Sequence, residues 1–241
     1  MKDKMLTPLQ PIYLLADSEL LFWRNKRGLF LSQVRCRLGK ERPAAAYVGA
    51  SNGDKPEFYS IFTAAMANIG VTDCKMIKSS FSWEDKLFFE SADIILLAGG
   101  DVQRGWDVID QVGIKEALIR RYHAGAALLG LSAGAVQLGL YGFRDGDQPS
   151  VSLFDTLKLV PFAVDVHEER SEWERLSTLI ELLNSSVKGI GLPSRGGMIF
   201  HPDYTVEPLR FPVHEFSIYH QKLTHRLLIP EDHNEHVALA P

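Results

Sequence analysis

The chain has 241 residues, enough for one sizeable domain, and its 46% hydrophobic and 23% charged content is ordinary for a soluble globular protein. A formal net charge of -4 excludes a general electrostatic pull toward nucleic acid or an anionic membrane. The two cysteines, Cys36 and Cys74, have no C-x-x-C spacing and read as buried free thiols of a reducing compartment, not as a disulfide framework or zinc site. The first apolar run, residues 12–16, is too short for a signal segment or a membrane span, so the expected location is cytoplasmic.

In chain order, residues 11–16 (PIYLLA), 44–50 (AAAYVGA), 93–100 (DIILLAGG) and 125–132 (GAALLGLS) are apolar without alternation, the pattern of strands buried on both faces. Residues 56–70 and 102–125 between them carry helical apolar spacing with glycine stops. This rhythm predicts right-handed crossovers and a mostly parallel sheet covered by helices on both faces, a three-layer α/β sandwich. Residues 141–150 read as a loop by their Gly, Asp and Pro content, and residues 171–186 as an amphipathic helix. GMIFHP, EFSIYH and RLLIP then predict short extra strands toward the C-terminus. No Pro-, Gly- or Ser-rich linker or internal repeat divides the chain, so residues 1–241 are expected to form a single domain.

Two glycine-rich loops fall at the carboxyl ends of predicted strands, where ligands bind in such sheets. The first is Gly99-Gly100-Asp101. The second, Gly130-Leu-Ser132-Ala-Gly134, has the G-x-S-x-G pattern of a nucleophile elbow, in which flanking glycines permit a sharp strand-to-helix turn and the serine hydroxyl is exposed. On the motif alone, Ser132 could equally be a small residue in a tightly packed crossover. A serine nucleophile needs a base, and among eight histidines His167 stands out in the polar segment VDVHEER after an apolar run. The amides of Gly100 and Ala133 could then form an oxyanion hole. The C-terminal histidines have no recognisable metal-ligand spacing, so no metal is expected.

Three features together resemble a known serine peptidase family, that of aspartyl dipeptidase (peptidase E) and cyanophycinase, whose fold is similar to class I glutamine amidotransferases. They are Gly99-Gly100-Asp101 after a buried strand, Gly130-Leu-Ser-Ala-Gly-Ala135 at the elbow, and Asp165-x-His167 followed by Arg170 and Arg175-Leu176. The sequence GIG at residues 189–191 is a weaker echo. The resemblance implies that Ser132 attacks a peptide carbonyl, His167 acts as general base, and Gly100 and Ala133 supply oxyanion amides. It implies a substrate pocket involving Asp101, Gln103, Asp165, Arg170 and Arg175, and cleavage beside aspartyl or β-aspartyl residues of a small peptide or isopeptide, with no cofactor. A homodimer is compatible with it, although no residue pattern derives one.

The chain also departs from the family. Glu172 stands where cyanophycinase has a further arginine, and Leu192-Pro193-Ser194 replaces the acidic pair that follows GIG. The third catalytic group is open: Asp147 lies at about the spacing of the peptidase E acid, with Asp145 beside it, and either is also an ordinary turn residue. Two alternatives stand beside the peptidase. One is a non-catalytic binding protein that keeps the fold. The other is an α/β-hydrolase-type esterase, which would draw its histidine from His220 or His225.

Overall fold

The computed structural model describes residues 8–144, 152–183 and 187–231. Its first half contains strands β1 (Ile12–Leu15), β2 (Arg24–Asn25), β3 (Gly28–Leu29), β4 (Ala44–Val48), β5 (Asp73–Ile77), β6 (Ile94–Leu97) and β7 (Ala127–Leu131). Six helices accompany them: α1 (Phe30–Leu38), α2 (Pro56–Ala67), α3 (Trp83–Phe89), α4 (Val102–Gln111), α5 (Ile114–His123) and α6 (Ala133–Leu138). The second half adds β8 (Tyr141–Arg144), β9 (Ser152–Asp155), β10 (Phe162–Val166), helix α7 (Glu174–Leu183), β11 (Lys188–Leu192) and β12 (Gly197–Phe200). Three further strands follow: β13 (Val206–Leu209), β14 (Val213–Tyr219) and β15 (Lys222–Leu228).

The central sheet has seven strands in the order β13-β12-β1-β7-β6-β4-β5. The five from β1 to β5 run parallel, and β12 and β13 extend the sheet antiparallel beyond β1. Because successive side chains of a strand point to opposite faces, β1 sends Ile12 and Leu14 into one core and Tyr13 and Leu15 into the other. Helices α1 and α2 close the second core with Phe30, Leu31, Phe62 and Met66. Helices α3 to α6 close the first with Phe89, Trp106, Leu118 and Leu138. Continuous apolar strands are thus explained by a sheet covered on both faces. This is the α/β sandwich with a mostly parallel central sheet, and the extra C-terminal strands are present.

A second, four-stranded sheet, β10-β11-β14-β15, pairs β10 and β11 in parallel and the others antiparallel. Its apolar side meets the first core through Val164, Ile190 and Val213, and α7 packs on its other side with Leu176, Leu179 and Ile180.

Three segments differ from the expectation. Residues 102–125 form two helices, because Gly113 sits in the left-handed region at φ 88° and restarts the chain as the N-cap of α5. Tyr141–Arg144, expected in a loop, is strand β8 paired with β9, its Gly and Asp-rich continuation lying outside the described residues. Helix α7 begins only at Glu174, since Glu172 (φ 51°) and Trp173 (φ 63°) are both left-handed. The thiols are also not buried as expected: Cys36 lies on the exposed face of α1 and Cys74, on edge strand β5, is only partly covered.

Candidate active site

Ser132 stands between β7 and α6 with φ 46° and ψ -108°, a conformation costly for any residue with a side chain. The flanking residues impose it. A Cβ on Gly130 would lie 2.5 Å from the Gly134 carbonyl oxygen, and one on Gly134 would lie 2.3 Å from that of Leu97. Only glycines let the helix start this close to the sheet. The Ser132 amide donates to Leu15 O at 2.8 Å, and its carbonyl accepts from Ala135 N at 2.9 Å and Val136 N at 3.2 Å. The side chain is only partly buried, although all six residues of α6 behind it are buried.

The neighbouring strand β6 ends in the loop carrying Gly100 and Asp101. Gly100 has φ 138°, and a Cβ there would lie 2.2 Å from Ser51 O, so a glycine is required. The same Ser51 carbonyl accepts from Asp101 N at 2.9 Å, while Asp101 Oδ1 caps α4 by accepting from Arg104 N at 2.8 Å. Among the described residues no backbone carbonyl accepts from the Gly100 amide. Ala133 is the first residue of α6, so its amide has no intrahelical acceptor. Fully buried Gln137 ties the two loops together, its Nε2 donating to Ser51 Oγ and to Val102 O, each at 3.0 Å.

His167 enters from the other sheet. It follows β10 with φ 62°, and its amide donates to Leu192 O at 3.3 Å, extending the β10–β11 pairing by one residue. Its exposed imidazole places Nδ1 3.1 Å from Ser194 Oγ. Among the described residues it makes no hydrogen bond to Ser132. Partial burial pushes the Glu169 carboxyl up, but the amide and hydroxyl of Ser194 and the nearby His167 outweigh this and hold it below the usual carboxylate range.

Ser132, His167, Gly100 and Asp101 line two adjoining cavities. The larger, about 450 Å³, has an apolar wall of Leu21, Tyr47, Phe58, Ile61 and Phe62. Lys55 and Arg104 also line it, and among the described residues neither forms an ion pair. The smaller, about 250 Å³, is lined also by Gln103, Ala133, Asp165 and Arg175. Gln103 Nε2 donates to Asp107 Oδ1 at 2.6 Å, and its buried Oε1 has no partner. Asp165 is fully buried and receives two bonds from Arg175, Nη2 to Oδ1 at 2.6 Å and Nε to Oδ2 at 3.1 Å. Burial pushes its carboxyl above the ordinary range, against the pull of Arg175. Arg170 is exposed and lines neither cavity, and Asp147 and Asp145 lie outside the described residues. The apolar wall and its two cations escape the sequence reading. The available signal is the turn NGDKP after β4, at the carboxyl edge of the sheet.

Among the described residues, no group of three or more His, Cys, Asp or Glu side chains could hold a metal ion, and no helix is long and apolar enough to cross a membrane. A serine on a glycine-flanked strand-to-helix turn at the carboxyl edge of a parallel sheet is the frame of a hydrolytic enzyme, and comparison fixes the class as a peptidase. The model of Peptidase family S51 matches residues 12–203, and the chain belongs to that family. Its fold is shared by a peptidase from an acI-B1 Actinobacterium, with a TM-score of 0.68 at 13% identity over 93% of this chain and 96% of the other. It is shared also by a protein assigned as peptidase E in Listeria monocytogenes EGD-e, with a TM-score of 0.59 at 15% identity over 85% of this chain and 100% of the other. No curated protein sequence matches the chain.

Proposed function

We propose that the chain is a serine peptidase that hydrolyses a small peptide or isopeptide beside an aspartyl or β-aspartyl residue. The observation that carries this reading is the meeting of Ser132, His167 and Gly100 on the walls of the same two cavities. His167 Nε2 takes the Ser132 proton as Oγ bonds to the scissile carbonyl carbon. The resulting oxyanion is met by the amides of Gly100 and Ala133. As the C–N bond breaks, the imidazolium returns its proton to the leaving amine, and water then hydrolyses the acyl-enzyme. The separation from His167 to Ser132 closes on substrate binding, as catalytic hydrogen bonds often do.

The cavities divide the substrate. The larger takes a residue with a bulky apolar side chain, whose carboxylate meets Lys55 and Arg104 at the rim. The smaller, lined by Gln103, takes the remainder of the substrate. Arg175 is engaged by Asp165, so it supports the pocket floor rather than offering an open cation. The test is an assay of Asp-X and β-Asp-X dipeptides, X running from Gly to Phe, with wild type, Ser132→Ala and His167→Ala. Turnover by wild type that both variants abolish is expected. No turnover, or turnover that Ser132→Ala retains, overturns the proposal.

One observation favours a second reading, a binding protein without chemistry: among the described residues the His167 imidazole makes no hydrogen bond to Ser132. A covalent fluorophosphonate adduct on Ser132 would exclude it.

A further inference from the structure

The general base of such a site needs its second nitrogen held, because that bond fixes the tautomer, aims the ring and steadies the imidazolium. Here Nδ1 of His167 faces Ser194 Oγ at 3.1 Å. The amide of Ser194 in turn donates to Glu169 Oε1, which brings that carboxylate beside the Ser194 side chain. The neighbouring Glu168 is occupied elsewhere, with Oε2 accepting from Ser171 Oγ at 2.7 Å and Oε1 lying 3.5 Å from Arg175 Nη2. Of the two adjacent glutamates, only Glu169 is directed to the histidine side.

The support is built into the backbone. Pro193 and Gly196 close a turn, Gly196 N donating to Pro193 O at 2.8 Å, with Arg195 in the left-handed region at φ 65°. That turn is anchored at both ends of its tip. Arg195 N donates to Asp17 Oδ2 at 2.6 Å, and Gly196 O accepts from Ala16 N at 2.9 Å. Ser194 is therefore presented at a fixed place beside His167, where the sequence has lost the acidic pair expected after GIG.

We propose that Glu169, acting through the Ser194 hydroxyl, is the positioning group of the His167 base, a two-step relay standing in for a directly bonded acid. This rests on the reading of Ser132 as nucleophile and His167 as base. In the relay His167 Nδ1–H donates to Ser194 Oγ, and Ser194 Oγ–H donates to a Glu169 carboxylate oxygen. When Nε2 accepts the Ser132 proton, the positive charge on the ring is met by the oriented hydroxyl and the carboxylate behind it. No proton passes to Glu169, and none is lost, since Nε2 later delivers its proton to the leaving amine.

Two measurements test it, one of them independent of turnover. The first is kinetic. Ser194→Ala and Glu169→Gln are each expected to lower kcat about tenfold with KM nearly unchanged, the low end for a group behind a base because the relay is open to water. The double variant falls no further than either single one, since both break the same chain. Ser194→Thr, which keeps the hydroxyl, retains most of the activity. A Ser194→Ala enzyme with wild-type kcat overturns the relay while leaving the nucleophile in place.

The second is 15N NMR of the His167 ring, assigned by comparison with His167→Ala. The Nδ1–H tautomer is expected in the wild-type protein, and its loss in Ser194→Ala. An unchanged tautomer overturns the relay even if no substrate on the panel is cut, so its failure and that of the peptidase reading remain distinguishable.

Discussion

Ser132 and His167 face the same cavities from opposite kinds of structure. The serine rises from β7, an inner strand of the seven-stranded sheet, into a helix whose residues are all buried. The histidine leaves β10, an edge strand of the four-stranded sheet, and stands exposed before a 3-10 turn. One is held by contacts that leave no space for a methyl group, the other by hydrogen bonds from the turn next to it. Packing fixes Ser132, and polar bonds aim His167. A change at the first region should therefore damage fold and activity together, and one at the second should separate them.

The largest expected effect comes from removing the hydroxyl alone. Ser132→Ala should lower kcat/KM by about 10⁴-fold while changing unfolding stability by less than about 0.5 kcal/mol, read by dipeptide hydrolysis and urea denaturation on the same preparation. Gly134→Ala should do the opposite in kind. Its methyl would meet Leu97 O at 2.3 Å, so backbone must move, and stability should fall by about 3 kcal/mol with activity lost as the elbow shifts. A Gly134→Ala protein that is fully stable and active would show that the elbow is not held by packing.

On the histidine side, Arg175→Met leaves Asp165 as a buried carboxylate without its guanidinium. A deficit of about 2–4 kcal/mol is expected at pH 7, less than for a fully enclosed pair because Arg175 reaches solvent. The pH dependence has a definite sign. Burial already holds the Asp165 carboxyl above its ordinary value, and loss of Arg175 raises it further. The deficit is then full above the folded-state pKa and shrinks as pH falls through it, because the neutral acid needs no partner. Urea titrations at neutral and mildly acidic pH measure this. A deficit unchanged with pH would assign the loss to the packing of Arg175 over the Phe143 ring, 4.5 Å from its centroid. The smallest effect is expected at the cavity wall: Phe58→Ala should raise KM for Asp-Phe by about fivefold and leave Asp-Gly unaffected.

The same contrast explains what could be read in the sequence. The elbow is legible because its cause is local. Gly130 and Gly134 flank Ser132 within one turn, and the buried strand before it carries an unbroken apolar run. The four strands β1, β4, β6 and β7 are legible for the same reason. Strand β5, with DCKMI, is polar and lies at the sheet edge, where pairing with β4 rather than apolar pattern makes it a strand. The apolar wall of the larger cavity joins residues from the turn after β1, the strand β4 and helix α2; Phe58, Ile61 and Phe62 share one face of α2, but no periodicity links the three segments. His167 was visible from its polar surroundings, but its contact with Ser194 depends on parallel pairing of β10 with β11, which spacing does not reveal.

At the end of β1, two consecutive residues hold the two halves of the site. The Leu15 carbonyl accepts from the Ser132 amide, and the N–H of that same peptide unit, Ala16 N, donates to Gly196 O in the turn that carries Ser194. Ser132 and the turn that supports His167 are thus hung from the two sides of a single peptide group. A shift of that strand carries both together, so their spacing is insulated from small movements between the two sheets. The first strand of the chain serves as the common gauge of a site to which it gives no catalytic side chain.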